Sequence, residues 1–297
     1  MTSMKAHKYI RNIVLSMVLI VCLIPLIQAQ EQENKPPERP VRSMFESNWI
    51  LDNQTVIVPV EGTFEMDILH RFGTWDNGYD DFFGIYAPSN IRLGFSKVIR
   101  PNLQLGLGLT KNKNLWDFNL KYALIQQTRS GSTPLSLTAY VNMAIDTRDE
   151  KFFVNGTDRY SYFYQLMMAR KFSDKVSMQV SGNLTHFNAV EGFINDANEV
   201  EGIMNNDHIS ASWNMRYRLT DISSMLFGYD LPITSHPQID PASNLSLGIE
   251  FVTSSHAFQI FIGNYQGIVP QYNHFENQNS FGDNEILLGF NMTRLWN

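Results

Sequence analysis

Twelve stretches of about ten residues, each alternating apolar and polar side chains, run from Val60 to the end of the chain. Successive side chains of a strand point to opposite faces, so each stretch reads as a strand with one apolar and one polar face. The third is the cleanest: Leu103, Leu105, Leu107 and Leu109 alternate with Gln104, Gly106, Gly108 and Thr110. In the first, Val60, Gly62, Phe64, Met66 and Ile68 oppose Glu61, Thr63, Glu65 and Asp67. Stretches 90–98, 160–170, 223–229 and 257–264 are weaker, with mixed phase.

A soluble β-sandwich alternates as well. The connections separate the two folds. Segments 100–101, 128–133, 173–175, 220–222 and 254–256 are short, whereas 73–88, 147–159, 188–206, 231–242 and 266–284 are long. Short and long alternate along the chain, and only 111–114 breaks the rhythm. Outer-membrane barrels have short periplasmic turns, long external loops and an even number of strands. A tilted strand of about ten residues crosses the hydrocarbon layer, and closure leaves no unpaired edge in lipid. The expectation is an all-β fold, a closed antiparallel transmembrane β-barrel of about twelve strands over residues 54–297.

Ahead of it, Lys5, Lys8 and Arg11 precede an apolar run over 13–27, then Gln28, Ala29 and Gln30. A basic head, an apolar run too short to span comfortably and a small residue describe a secretory signal peptide over 1–29. The lone cysteine, Cys22, falls inside it, so the mature chain is expected to have no thiol chemistry. Removing 1–29 leaves 20 basic against 29 acidic residues, a net charge of −9 that disfavours nucleic acid as a partner. Residues 30–53 read as a polar, proline-rich leader whose part 41–53 folds into or caps the periplasmic mouth.

His70-Arg71-Phe72-Gly73, Ser89-Asn90-Ile91-Arg92-Leu93-Gly94, Leu105-Gly106-Leu107-Gly108 and Lys121-Tyr122 ahead of Gln126-Gln127 form one set of motifs. Ser255-His256-Ala257-Phe258-Gln259 and Gly289-Phe290-Asn291-Met292-Thr293-Arg294 complete it. In these the chain resembles a family of uncharacterised Gram-negative outer-membrane β-barrel proteins grouped under a domain of unknown function. The resemblance covers residues 44–297 and implies export, an outer-membrane location and contact with its lipid. It supplies no reaction and no ligand. The penultimate Trp296 is a slightly displaced form of the terminal aromatic that barrel-assembly machinery reads.

Polar-face charges are the expected lumen lining: Glu61, Glu65, Asp67, Arg92, Asp117, Lys121, Arg216 and Glu250. Charges of both signs brace a narrow bore by pairing, and also set the preference of a pore. Three functions follow. A passive pore or transport barrel for small polar solutes leads, and a closed barrel that binds or scaffolds through its long acidic loops comes second. The third is a lipid hydrolase using His208 and Ser210, which sit two apart on one polar face. The acidic loops around Asp76–Asp81 and Asn195–Glu201 match no fixed calcium register, and His70 with His256 is a weak metal or haem pair. No phosphate loop, metal-binding spacing or nucleophile elbow is visible, so no cofactor is implied.

Overall fold

The computed structural model describes residues 38–296; the expected signal peptide with Cys22 and the first part of the leader lie outside the described residues. A short hairpin, β1 (Trp49–Ile50) and β2 (Asn53–Gln54), comes first. Next come β3 (Phe64–Thr74), β4 (Asn90–Arg100), β5 (Leu103–Thr110), β6 (Leu115–Ile125), β7 (Ser136–Asp146), β8 (Tyr160–Lys171) and β9 (Val176–Phe187). A loop hairpin of β10 (Gly192–Ile194) and β11 (Val200–Gly202) precedes β12 (Asp207–Arg218), β13 (Ser223–Pro232), β14 (Asn244–Val252) and β15 (His256–Gly263). Helix α1 (Pro270–Phe275) and β16 (Leu287–Trp296) complete the order.

Strands β3–β9 and β12–β16 form one closed antiparallel barrel of twelve, each paired with its sequence neighbour. The last closes on the first, with Trp296 opposite Phe64 and Phe290 opposite His70. Closure pairs every strand edge, which lipid demands because it offers the backbone no hydrogen bonds. No helix among the described residues is long and apolar enough to cross a membrane. The barrel has a turn end, with connections 101–102, 172–175, 219–222 and 253–255, and a loop end with 75–89, 147–159, 188–206, 233–243 and 264–286. The exceptional 111–114 joins β5 to β6 at the loop end.

The first barrel strand begins at Phe64, four residues later than its alternation suggests. Glu61 and Gly62 instead form a turn in which Gly62 takes φ +89°, a left-handed conformation that glycine adopts at no steric cost. Glu61 is therefore exposed in that turn and does not line the lumen, a correction to the sequence reading.

The bore is filled. From Met44 to Val56 every residue except Glu46 is buried, in a hairpin that rises inside the barrel from the turn end. Its foot is tied there by Val41 N donating to Gln127 O at 2.8 Å and Arg129 Nε to Pro40 O at 3.0 Å. This plug continues through Ile57, past the expected boundary at Asn53. From the loop end, connection 264–286 sends α1 inward with all six residues buried.

The plug also explains the weak strands. β4 turns Val98 inward, β8 Phe163, Met167 and Ala169, β13 Leu226, and β15 Ala257 and Phe261, all buried. Most of these pack with Met44, Phe45, Ile50, Leu51 and Val56 of the plug in one apolar cluster. Alternation blurs where a strand has apolar partners on both of its faces.

Candidate functional site

The interior is built from the polar faces of the strands. Arg92 of β4 forks onto Asp117 of β6, through Nε to Oδ2 at 2.8 Å and Nη2 to Oδ1 at 2.9 Å, and reaches Asp67 of β3 through Nη1 at 2.7 Å. Asn142 Nδ2 adds a bond to Asp117 at 2.8 Å, and the guanidinium lies 5.5 Å over the ring of Trp49 in the plug. Inward glycines on β4 and β5 give this triad room, because a Cβ at Gly94 or Gly108 would overlap Arg92 and its carboxylates. On β5, Gly108 is thus a packing requirement of a buried guanidinium, while Gly106 makes room for Asn119.

Wall groups then satisfy the plug's backbone, which a buried segment requires. Lys121 Nζ donates to Thr55 O at 3.1 Å, Ile57 O at 3.0 Å and Asn48 Oδ1 at 3.2 Å. Asn48 Nδ2 in turn donates to Glu65 at 2.8 Å. Gln259 holds both sides of the plug strand, accepting from Leu51 N at 3.0 Å and donating to Trp49 O at 2.8 Å. Gln179 does the same for Val56 N and Gln54 O, at 2.9 and 2.7 Å. Arg216 joins Glu250 of β14 at 3.3 Å to Glu46 of the plug at 2.9 Å. Glu65, Asp67, Arg92, Asp117, Lys121, Arg216 and Glu250 therefore all sit inside the barrel, brought together around the hairpin.

Sequence reasoning missed the residues at the hairpin tip. Arg71, fully buried, donates to Asn291 Oδ1 at 2.8 Å and to Leu51 O at 3.4 Å, and lies 4.7 Å over the Phe261 ring. It shares the inward phase of Glu65 and Asp67, a signal present in the alternation. Asp52 has no such signal, because nothing in a leader marks a residue as bound for the interior. One amide, Asn53 Nδ2, reaches both Asp230 at 2.9 Å and Asp52 at 3.3 Å. Burial and the neighbouring Asp230 push the Asp52 carboxyl well above the usual carboxylate range. Asn273 of α1 donates to Asp52 Oδ2 at 2.7 Å, so the two plugs meet at this carboxyl.

The histidines separate. Ser210 lies 3.1 Å from His274 Nδ1 of α1, while His208 Nδ1 lies 3.0 Å from His236 Nε2. Among the described residues no carboxylate is hydrogen-bonded to His274, so the orienting partner of a triad is not supplied there. His70 lies toward the loop end of β3 and His256 at the turn end of β15, so they do not converge. The loop carboxylates turn to local partners, Asp81 to Gly84 N at 2.8 Å and Glu201 to Asn195 at 2.8 Å. Above α1 the loops enclose a cleft of about 730 Å³, with Phe187, Tyr272 and Phe275 among its apolar lining and Arg148, Arg159 and Glu191 among its charges.

His274 makes the docking of α1 sensitive to acid. It is packed among Ser210, the Phe163 ring at 5.2 Å and the nearby Asp52 carboxyl. Burial pushes its imidazole down to about 4, with Asp52 opposing weakly. The undocked helix takes up a proton first, near the free value of about 6.5, so docking is full above that pH. Between about 6.5 and 4 it weakens by about 3 kcal/mol in total. A spin label at Gln278→Cys is expected to gain mobility over this range, and His274→Gln to remove the histidine's share of the pH dependence.

Solved structures align with most of this chain at very low identity. The NanC porin aligns over 78% of this chain and 98% of its own at 8% identity, with a TM-score of 0.48. The KdgM porin aligns over the same shares at 9% identity and 0.44. The COG4313 outer membrane channel from Pseudomonas putida F1 aligns over 81% of this chain and 97% of its own at 12% identity and 0.47. No curated protein matches the chain. A family described as a membrane bound beta barrel domain, DUF5777, matches residues 45–296, plug hairpin and barrel alike, and the chain belongs to it.

Proposed function

We propose that this protein is an outer-membrane transport barrel for small polar solutes, exported by a cleaved signal peptide and held shut by its hairpin and α1. The observation that carries this reading is the chemistry of the wall around the plug. Lys121, Gln179, Gln259, Arg216 and Thr138 hold it through amides, hydroxyls and charges. Water satisfies all of those groups once the plug leaves, so the wall does not depend on it for hydrogen bonding. The apolar cluster around Met44, Phe45 and Leu51 adds the affinity that keeps the bore closed. With the plug out, Arg71, Arg92, Lys121 and Arg216 stand against Glu65, Asp67, Asp117, Asp230 and Glu250, a near balance that favours weak charge selectivity. On this reading the barrel is not an enzyme, and Ser210 and His274 are filling.

The filled bore also favours a second reading, a closed barrel that binds or scaffolds through its loops. A reducible tether separates the two. Ser47 Oγ lies 3.1 Å from Thr293 Oγ1 on β16, so Ser47→Cys with Thr293→Cys, in a Cys22→Ser background, would tie the plug to the wall. In planar bilayers with urea at levels that leave the barrel folded, the reduced protein is expected to show step currents and the oxidised protein none. Silence in both states would remove the pore and leave the scaffold. Equal currents in both would mean that the hairpin is not the gate.

A further inference from the structure

The outward face of the twelve strands is apolar, with few charged side chains. Four are cationic, Lys97, Arg100, Arg170 and Arg294, and all four lie exposed at the turn end. The anionic one, Asp207, lies at the loop end and is paired with His186 at 2.6 Å. Among the described residues none of the four cations has a carboxylate partner. A lone cation on a lipid-facing wall is costly unless it reaches the headgroup layer.

Two of them fall on one strip across the closing seam. His256 is registered opposite Arg294, Trp296 opposite Phe64, and Phe64 opposite Lys97. The Arg294 guanidinium lies 4.6 Å over the Trp296 ring, and Trp296 contacts Phe64 at 5.5 Å. On the other side His256 stacks on Phe258 at 5.8 Å, with Nδ1 3.1 Å from Ser255 Oγ. Stacking covers one face of the guanidinium and leaves its in-plane fork of donors for a planar or tetrahedral oxyanion. An aromatic shelf at a strand end suits the boundary between acyl chain and headgroup, apolar on one side and polar on the other. The outward members of the motifs around Ser255–Gln259 and Gly289–Arg294, among them His256, Phe258 and Arg294, thus meet on the lipid face, while Gln259 and Asn291 of the same motifs turn inward to the plug.

We propose that Arg294, Lys97 and His256, around the Trp296–Phe64 shelf, form a binding site for the phosphodiester of an anionic phospholipid in the turn-end leaflet. Two uncompensated cations on one shelf select a headgroup with net negative charge over a zwitterionic one. Arg170 over Phe172 at 5.3 Å, on the far side at β8, has the stack with an apolar residue, Met178, registered opposite it, and serves as an internal control. The inference needs only the membrane barrel, and stands whether or not the bore opens.

The test reconstitutes the full barrel in mixed vesicles containing brominated phosphatidylglycerol or brominated phosphatidylcholine. Trp296 quenching is taken as the difference from Trp296→Phe. Phosphatidylglycerol is expected to quench with an apparent affinity about fivefold to tenfold above phosphatidylcholine, a preference that shrinks with added salt. Arg294→Gln with Lys97→Gln should remove the preference, Arg294→Lys should lower it, and Arg170→Gln should leave it intact. Equal quenching by the two lipids in the unmodified protein overturns the proposal without any variant having to fold. A preference that survives both glutamines overturns it equally.

Discussion

Deleting residues 38–57 is expected to convert a silent barrel into a conducting one. Within the barrel the hairpin fills the turn-end half of the bore, and its removal exposes Lys121, Glu65, Gln179 and Gln259 to water. The wall keeps its twelve-strand ladder and its Asp67–Arg92–Asp117 triad, neither of which includes a plug residue. The inward apolar patch of Phe163, Met167, Leu226 and Phe261 becomes wet, which costs stability but leaves strand pairing intact. Planar-bilayer recording of the deleted and full chains checks this, with loss of heat-resistant migration on gels reporting any failure to fold. Helix α1 still narrows the loop end, so the larger current should appear on pairing the deletion with Gln271→Ala, which removes that side chain's bonds to Asn142 Oδ1 at 3.0 Å and Ser161 O at 3.2 Å in the wall. A folded deletion barrel as silent as the full chain, with or without Gln271→Ala, would count against transport.

The second large effect concerns stability. Arg92→Met leaves Asp67 and Asp117 facing each other without their shared counter-charge, and is expected to cost about 3–5 kcal/mol. Urea unfolding in vesicles measures it. Pairing Arg92→Met with Asp67→Asn and Asp117→Asn should recover much of the loss, because the penalty lies in the two stranded carboxylates more than in the missing attraction. Lys113→Met, which breaks a partly exposed pair with Glu276 at the loop end, should stay within about 1 kcal/mol. The contrast tests whether the interior of this barrel behaves as a dry, charge-balanced core.

Much of this architecture was legible in the chain. The Leu–polar alternation of β5 and the rhythm of short and long connections specify strand number, orientation of the faces and closure. Inward charges were legible too, because Glu65, Asp67, Arg92, Asp117, Lys121, Arg216 and Glu250 hold a fixed phase along strands. Glu61 was misplaced because alternation continues smoothly through Gly62, and only the left-handed φ there shows that the strand has not yet begun. The mixed phase of β8, β13 and β15 looked like weak strand character. It is instead the imprint of an apolar partner inside the barrel.

The partner itself could not be read. A period-two pattern records which face of a strand meets lipid, since that solvent is continuous and every strand meets it the same way. The hairpin at Trp49–Gln54 and the short α1 carry no comparable period, and their positions depend on wall groups drawn from strands scattered through the whole chain. Asp52, Asp230, Asn273 and Arg71 come together across 221 residues of separation between Asp52 and Asn273 alone. The sequence by itself therefore determined a closed, lipid-facing barrel with a charged interior. Only the tertiary structure decided that the interior is occupied, because non-local hydrogen bonds and a desolvated charge network leave no local repeat in the chain that makes them.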